Sequence, residues 1–128
     1  MAIQQELGQW GEDQAAIYLA GNGLKILARN WRWKRAEIDI IALEGKILVF
    51  VEVKTKSNLV YGTPEERITP QKRRLVVDAA NAYMRQIGHD WEIRFDVVSI
   101  LGQPGGGCHI RHYRDAFFPG PGTTRSWS

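Results

Sequence analysis

With 128 residues, 44% of them hydrophobic and 24% charged, the chain suits one domain that buries roughly two thirds of the surface its unfolded form exposes. That balance excludes disorder, a coiled coil and a solenoid, and no stretch approaches the roughly 18 apolar residues of a membrane helix. A net charge of +3 and a single cysteine, Cys108, exclude an internal disulfide and a CxxC metal knuckle; with no leader pattern in "MAIQQELGQWGED", the expected location is the cytoplasm.

In chain order, Leu7, Trp10, Gly11, Ala15, Tyr18 and Leu19 recur at helical spacing, which predicts a helix from about Gln4 to Ala20, stopped by "GNG". Glu12 falls on its apolar face and is expected to point inward. "LKILARNWRW" reads as a short strand. Ala36 to Leu43 reads as a second, with Glu37, Asp39 and Ile41 on one face and Ile38 and Ile40 on the other. "EGK" predicts a hairpin into "KILVFVEVKTK", apolar on both faces and so a central strand, which buries Glu52 at least in part.

After the loop "SNLVYGTPEER", Thr69 is the expected N-cap and Pro70 the first residue of a helix to about Ile87, ended by Gly88. Lys72, Val76, Ala79, Tyr83 and Ile87 share one stripe, which aligns a lysine with core positions. "WEIRFDVVSIL" and "CHIRHYRDAF" are the last strands. The order is that of an α/β fold with a mixed sheet of about five strands flanked by helices. The expected division is one domain over residues 1–117 and a loose tail, 118–128, rich in Gly, Pro, Ser and Thr.

Basic residues cluster around Lys25, Arg29, Arg32, Lys34 and Arg35, interleaved with Trp31 and Trp33, and again at Arg67, Lys72, Arg73 and Arg74. Such clusters fit a phosphate backbone with stacked bases, or simply a solvated face. The candidate nucleic-acid surface is Arg29, Arg32, Lys34, Arg35, Lys56, Lys72 and Arg73.

An isolated carboxylate in a two-sided apolar strand costs several kcal/mol, so Glu52 needs a cation nearby. An ion pair with Lys54 would serve, and Asp39 could pair with Arg32 or Arg35. However, the hairpin also brings Asp39 towards Glu52, and two like charges about 4 Å apart repel by roughly 4 kcal/mol at an effective dielectric of about 20. Hard oxygen ligands at Asp39 and Glu52 suit Mg²⁺ (or Mn²⁺), and a metal beside a lysine suits phosphodiester hydrolysis, with Lys54 orienting water or stabilising charge on phosphorus. Lys72 either contacts phosphate or snorkels from its helix. Glu37 either assists the metal or pairs with Arg35. His109 and His112 read as structural.

"EID" followed by "FVEVKTK" resembles the PD-(D/E)xK, restriction-endonuclease-like superfamily. More narrowly, the ordered set "GQWGEDQAAIYL", "ILARNWRW", "EIDIIA", "VFVEVKTK", "YGTPEERITPQK", "RFDVVSI" and "DAF" resembles the YraN-like family of uncharacterised bacterial proteins, which are similar to archaeal Holliday-junction resolvases. The resemblance implies a restriction-endonuclease-like core and a metal site of Glu12, Asp39 and Glu52, with Lys54 as the catalytic lysine. It also implies a nuclease acting on DNA, branched or structured DNA in particular, and a homodimer if both strands of a junction are cut. Ala36 departs from the family's usual glycine before "EID", which leaves open whether the backbone there needs a positive φ angle. Two other readings compete: a non-catalytic nucleic-acid-binding module on the same fold, and an assembly protein with a buried ionic network.

Overall fold

The computed structural model describes residues 4–57 and 69–116. Its elements are α1 (Gln4–Gly21), β1 (Lys25–Trp33), β2 (Ala36–Glu44), β3 (Ile47–Lys56), α2 (Pro70–Ile87), β4 (Ile93–Gly102) and β5 (Cys108–Tyr113). The expected loop over 58–67 and the expected tail from Phe118 lie outside the described residues.

Local chemistry sets the ends of α2. Thr69 sits extended and its Oγ1 accepts from Lys72 N at 3.1 Å, while Pro70 gives the first turn a fixed φ and no amide to satisfy. Gly88 closes the helix at φ 73°, where its N–H donates to Met84 O. The stripe from Val76 through Ala79 to Tyr83 is buried, but Ile87 is exposed, contrary to its expected core position, because the helix ends there.

The strands form one mixed sheet in the order β1-β2-β3-β4-β5, antiparallel throughout except for the parallel pair β3 and β4. A parallel pair needs a crossover, and α2 lies on it in the sequence. α2 covers one face over a core that includes Ile38, Ile41, Phe50, Phe95 and Tyr83, with the Tyr83 ring edge-on to Trp31 at 5.2 Å. On the opposite face α1 lies over Ile40, Val49, Val51, Val98 and Ile100, against its own Ala15 and Leu19. β3 alternates as its sequence predicts, with Val49 and Val51 under α1 and Leu48 and Phe50 under α2.

β2 does not alternate regularly. Ala36 and Ile38 join the core under α2, whereas Ile40 and Ala42 join the core under α1, so Ile38 and Ile40 do not share the face expected of them. The change of face coincides with a parting of the sheet. Pairing of β2 with β3 runs from Glu44–Ile47 to Ile40–Val51 and stops, while β2 stays with β1 as far as Ala36–Trp33 and β3 stays with β4 as far as Lys56–Leu101. Asp39 and Glu52 occupy the next positions outward, at the fork. Ala36 is buried and is not among the positive-φ residues, which answers the question its sequence raised.

A second polar cluster stands on the α1 face of the sheet, where Asp96 pairs with Val51 on β3 and His112 meets Tyr18 of α1. Asp96 is fully buried and receives Arg94 Nε at 2.8 Å, Arg94 NH2 at 2.9 Å, His112 Nε2 at 2.7 Å and Asp115 N at 2.9 Å. Arg94 and Arg114 both reach Glu44, at 2.7 and 3.1 Å. Burial pushes the Asp96 carboxyl up, but the His112, Arg94 and Asp115 hydrogen bonds outweigh it and hold the group below its ordinary value. His112 is thus structural, as expected, and it pins edge strand β5 to β4. Removing one partner of a buried charge cluster is costly, so Asp96→Ala is expected to lower stability by about 3 kcal/mol in urea unfolding; a loss below about 1 kcal/mol would refute this account of β5.

Candidate active site

The fork exposes a backbone donor. Where β2 leaves β3, the amide of Val53 has no ladder partner on β2, and Asp39 Oδ2 accepts from it at 2.8 Å. The bond fixes one carboxylate in the cleft between the strands. Glu52, one residue before Val53 and buried, points to the α2 face of β3. Two lysines converge on it: Lys72 Nζ lies 3.0 Å from Glu52 Oε2, and Lys54 Nζ lies 3.7 Å from the same oxygen. Burial disfavours the Lys72 ammonium, yet Glu52 and Asp39 hold it above its ordinary pKa.

Asp39 is the group left in conflict. Burial, then the charge of Glu52, then Glu12 push its carboxyl up to about 7, against the lowering effect of the Val53 amide and Lys72. Near neutrality the Asp39 carboxyl is therefore divided between its neutral and charged forms. Asp39 and Glu52 supply hard oxygen donors, the ligand type that a divalent cation such as Mg²⁺ would take, its other positions being filled by water.

Glu12 is half-buried on α1, near enough for its charge to help raise the Asp39 carboxyl. Its own oxygens are engaged elsewhere, with Asn30 Nδ2 at 2.9 Å and Arg29 NH2 at 3.5 Å. Among the described residues no group of three or more His, Cys, Asp or Glu side chains gathers closely enough to hold a metal. The structure thus brings Asp39, Glu52, Lys54 and Lys72 together and holds Glu12 at the margin. The helix reaches this margin through Gly11: a Cβ there would overlap the Thr55 side chain, so only glycine lets α1 lie this close to β3.

The basic residues divide. Arg29 is tied to Asp13 at 2.7 Å, a bond that also holds the Asp13 carboxyl below its ordinary value. Arg32, with 78% of its side chain exposed, is 3.5 Å from Glu37, so Glu37 pairs with Arg32 and not Arg35. Lys34 and Arg35 are exposed on the turn between β1 and β2, while Lys56 and Arg73 are half-buried. Sequence reading missed Asn30, Asp13 and Asp96. For Asn30 a signal existed: asparagine tolerates positive φ, and here it takes φ 51° within β1 and reaches Glu12.

The Asp39 shift has a stability consequence. Its pKa is about 7 folded against an ordinary 3.8, so the folded chain binds more protons between those values and loses stability as pH rises from about 4 to about 7. Asp39→Asn keeps a carbonyl acceptor for Val53 and removes the charge. In urea unfolding the variant is expected to gain on the wild type by on the order of 2 kcal/mol between pH 5 and pH 8; a pH-independent difference would refute the assignment.

No helix among the described residues is long and apolar enough to cross a membrane. Against known proteins, a UPF0102 protein of Rhodococcus opacus is 48% identical over 91% of this chain and 100% of its own length. One from Flavobacterium johnsoniae is 45% identical over 92% and 98%, and one from Bacteroides thetaiotaomicron is 42% identical over 93% and 98%. Among solved structures, a Holliday junction resolvase from Archaeoglobus fulgidus is similar over 80% of this chain and 74% of its own, at 16% identity and a TM-score of 0.41. The profile of the uncharacterised protein family UPF0102 matches residues 11–100, which span the fork and every residue placed in it. The chain belongs to that family, the YraN-like one its ordered motifs resemble.

Proposed function

We propose that the protein is a Mg²⁺-dependent nuclease that hydrolyses phosphodiester bonds in DNA, with Asp39 and Glu52 as metal-binding acids. The observation that carries this reading is the pair of carboxylates at the fork, Glu52 buried and Asp39 half-buried, with Asp39 raised to about 7 by burial and by the charge of Glu52. A structural ion pair would leave neither acid in conflict. A bound magnesium ion supplies a Lewis acid for the phosphate and lowers the pKa of a coordinated water.

The chain's own groups supply the rest. Asp39 is held rigid by the Val53 amide. Lys54 stands beside Glu52 on the same strand face and orients the attacking water or stabilises charge developing on phosphorus. Lys72, half-exposed on the first turn of α2 and paired with Glu52, is the lysine that would reach a phosphate oxygen at the fork. Glu12 completes the acidic set when Asn30 and Arg29 release it. The exposed Arg32, Lys34 and Arg35 contact the backbone flanking the cut. Branched or structured DNA is the substrate class, and cutting two strands of one junction asks for two sites, hence a homodimer.

A binding module without turnover is the second reading, and one observation favours it: Lys72 already neutralises Glu52, and Glu12 is engaged by other partners. Plasmid and four-way-junction DNA incubated with Mg²⁺ or Mn²⁺ separate the two. Wild type is expected to cut, whereas Asp39→Ala and Glu52→Ala lose at least about a hundredfold in rate while retaining DNA binding. Binding without cleavage under every metal condition, with both variants binding equally well, rejects the enzyme.

A further inference from the structure

A pocket of about 200 Å³ opens between the β1–β2 turn and α2, lined by Trp33, Lys34, Arg35, Ala36, Leu75 and Asp78. Its floor is apolar: Trp33, Ala36 and Leu75 pack against the core under α2. Its rim is polar and asymmetric, with two cations from the turn on one side and one carboxylate from the helix on the other. Lys34 lies with its Nζ 4.5 Å from the centre of the Trp33 ring, and the turn holds this lysine at φ 57°, a region that non-glycine residues seldom occupy. An exposed cation–π contact is weak and readily exchanged for a stacked ring. Among the described residues Arg35 and Asp78 enter no ion pair, so both are available to a ligand.

We infer that this pocket takes one unpaired nucleobase of the DNA, stacked on Trp33, with its phosphate on Lys34 and Arg35 and an exocyclic amine donated to Asp78. The inference rests on the nuclease reading and adds the substrate's form. A base inside a duplex shows only its edges to a protein, so a ring that stacks on an indole has already left the helix or was never paired. A carboxylate accepts from the amines of cytosine, adenine or guanine, whereas thymine turns carbonyl oxygens towards it.

The pocket is placed to act on the cut site. Lys72 and Asp78 stand six residues apart on α2, so Asp78 is about 9 Å along the axis and about a third of a turn around it from the lysine that meets Glu52. At about 3.4 Å per stacked nucleotide, a separation of this order spans a few nucleotides, and fewer when the strand is unstacked. The base held in the pocket is therefore close in sequence to the phosphate at the fork. The site selects DNA with an unpaired base beside the scissile bond, as found at flaps, gaps and branch points, over continuous duplex.

The test uses the full chain in EDTA, which prevents cutting, and a fluorescein-labelled single-stranded oligonucleotide whose binding is read by anisotropy. An abasic position is walked along the strand, and 2-aminopurine is placed at each position in a parallel series. One position is expected to weaken binding about tenfold when abasic and to show quenched 2-aminopurine emission. Trp33→Leu should abolish that quenching, and Asp78→Asn, at an exposed position that does not threaten folding, should abolish the preference for amine-bearing bases over thymine at that position. If the strand binds but no position responds to either probe, or Asp78→Asn leaves the base preference intact, the pocket is not a base site and the nuclease reading stands. If neither single-stranded nor branched DNA binds at all, the nuclease reading falls and the pocket assignment with it.

Discussion

The hydrogen bond from the Val53 amide to Asp39 Oδ2 is the constraint on which the rest of the cleft depends. A sheet that keeps all its strands paired to the end has no room for a polar site between them. Here β2 and β3 share five residue pairs before they part, whereas β3 and β4 share nine, so the division falls inside the sheet and not at its rim. Parting strands leave backbone donors unpaired, and a buried unpaired amide costs about 1–3 kcal/mol. A carboxylate that accepts this amide closes the fork and is itself fixed in the opening. The same bond satisfies the backbone and aims the acid.

The two charged clusters of the molecule show opposite designs. At Asp96 every oxygen has a strong donor, two of the partners are arginine and histidine, and the carboxyl is held ionised. At the fork, Asp39 has one amide and faces a second acid, and its carboxyl is driven towards the neutral form. A satisfied network rigidifies a fold; an unsatisfied one stores free energy that a ligand can release. Burial is common to both, so the supply of donors is what separates scaffold from candidate site.

Most of the architecture was legible in the sequence because period and punctuation agree. Thr69, Pro70 and Gly88 frame α2 as written, and Val49, Val51, Leu48 and Phe50 alternate as written. Asp39, Glu52 and Lys54 were legible as a set because charges inside an apolar run are costly to bury. Other features were not. The change of face between Ile38 and Ile40 falls where the β2–β3 ladder ends, and no local pattern encodes the end of a ladder. The Asp96 network joins residues from β2, β4 and β5, so "RFDVVSI" alone gave no reason to expect Glu44 or His112 beside it. The capture of Glu12 by Asn30 required a residue at positive φ in the middle of a strand.

Gly11 gives the first helix a character that its sequence spacing conceals. A glycine inside a helix forfeits about 1 kcal/mol of intrinsic stability relative to alanine, and α1 accepts that loss where it crosses Thr55. Proximity is therefore what this helix turn was shaped for, at the expense of its own persistence. The consequence is mechanical: α1 is pressed to the sheet at the residue preceding Glu12, so any motion that lifts the helix carries an acid away from the fork, and any motion that seats it brings negative charge in.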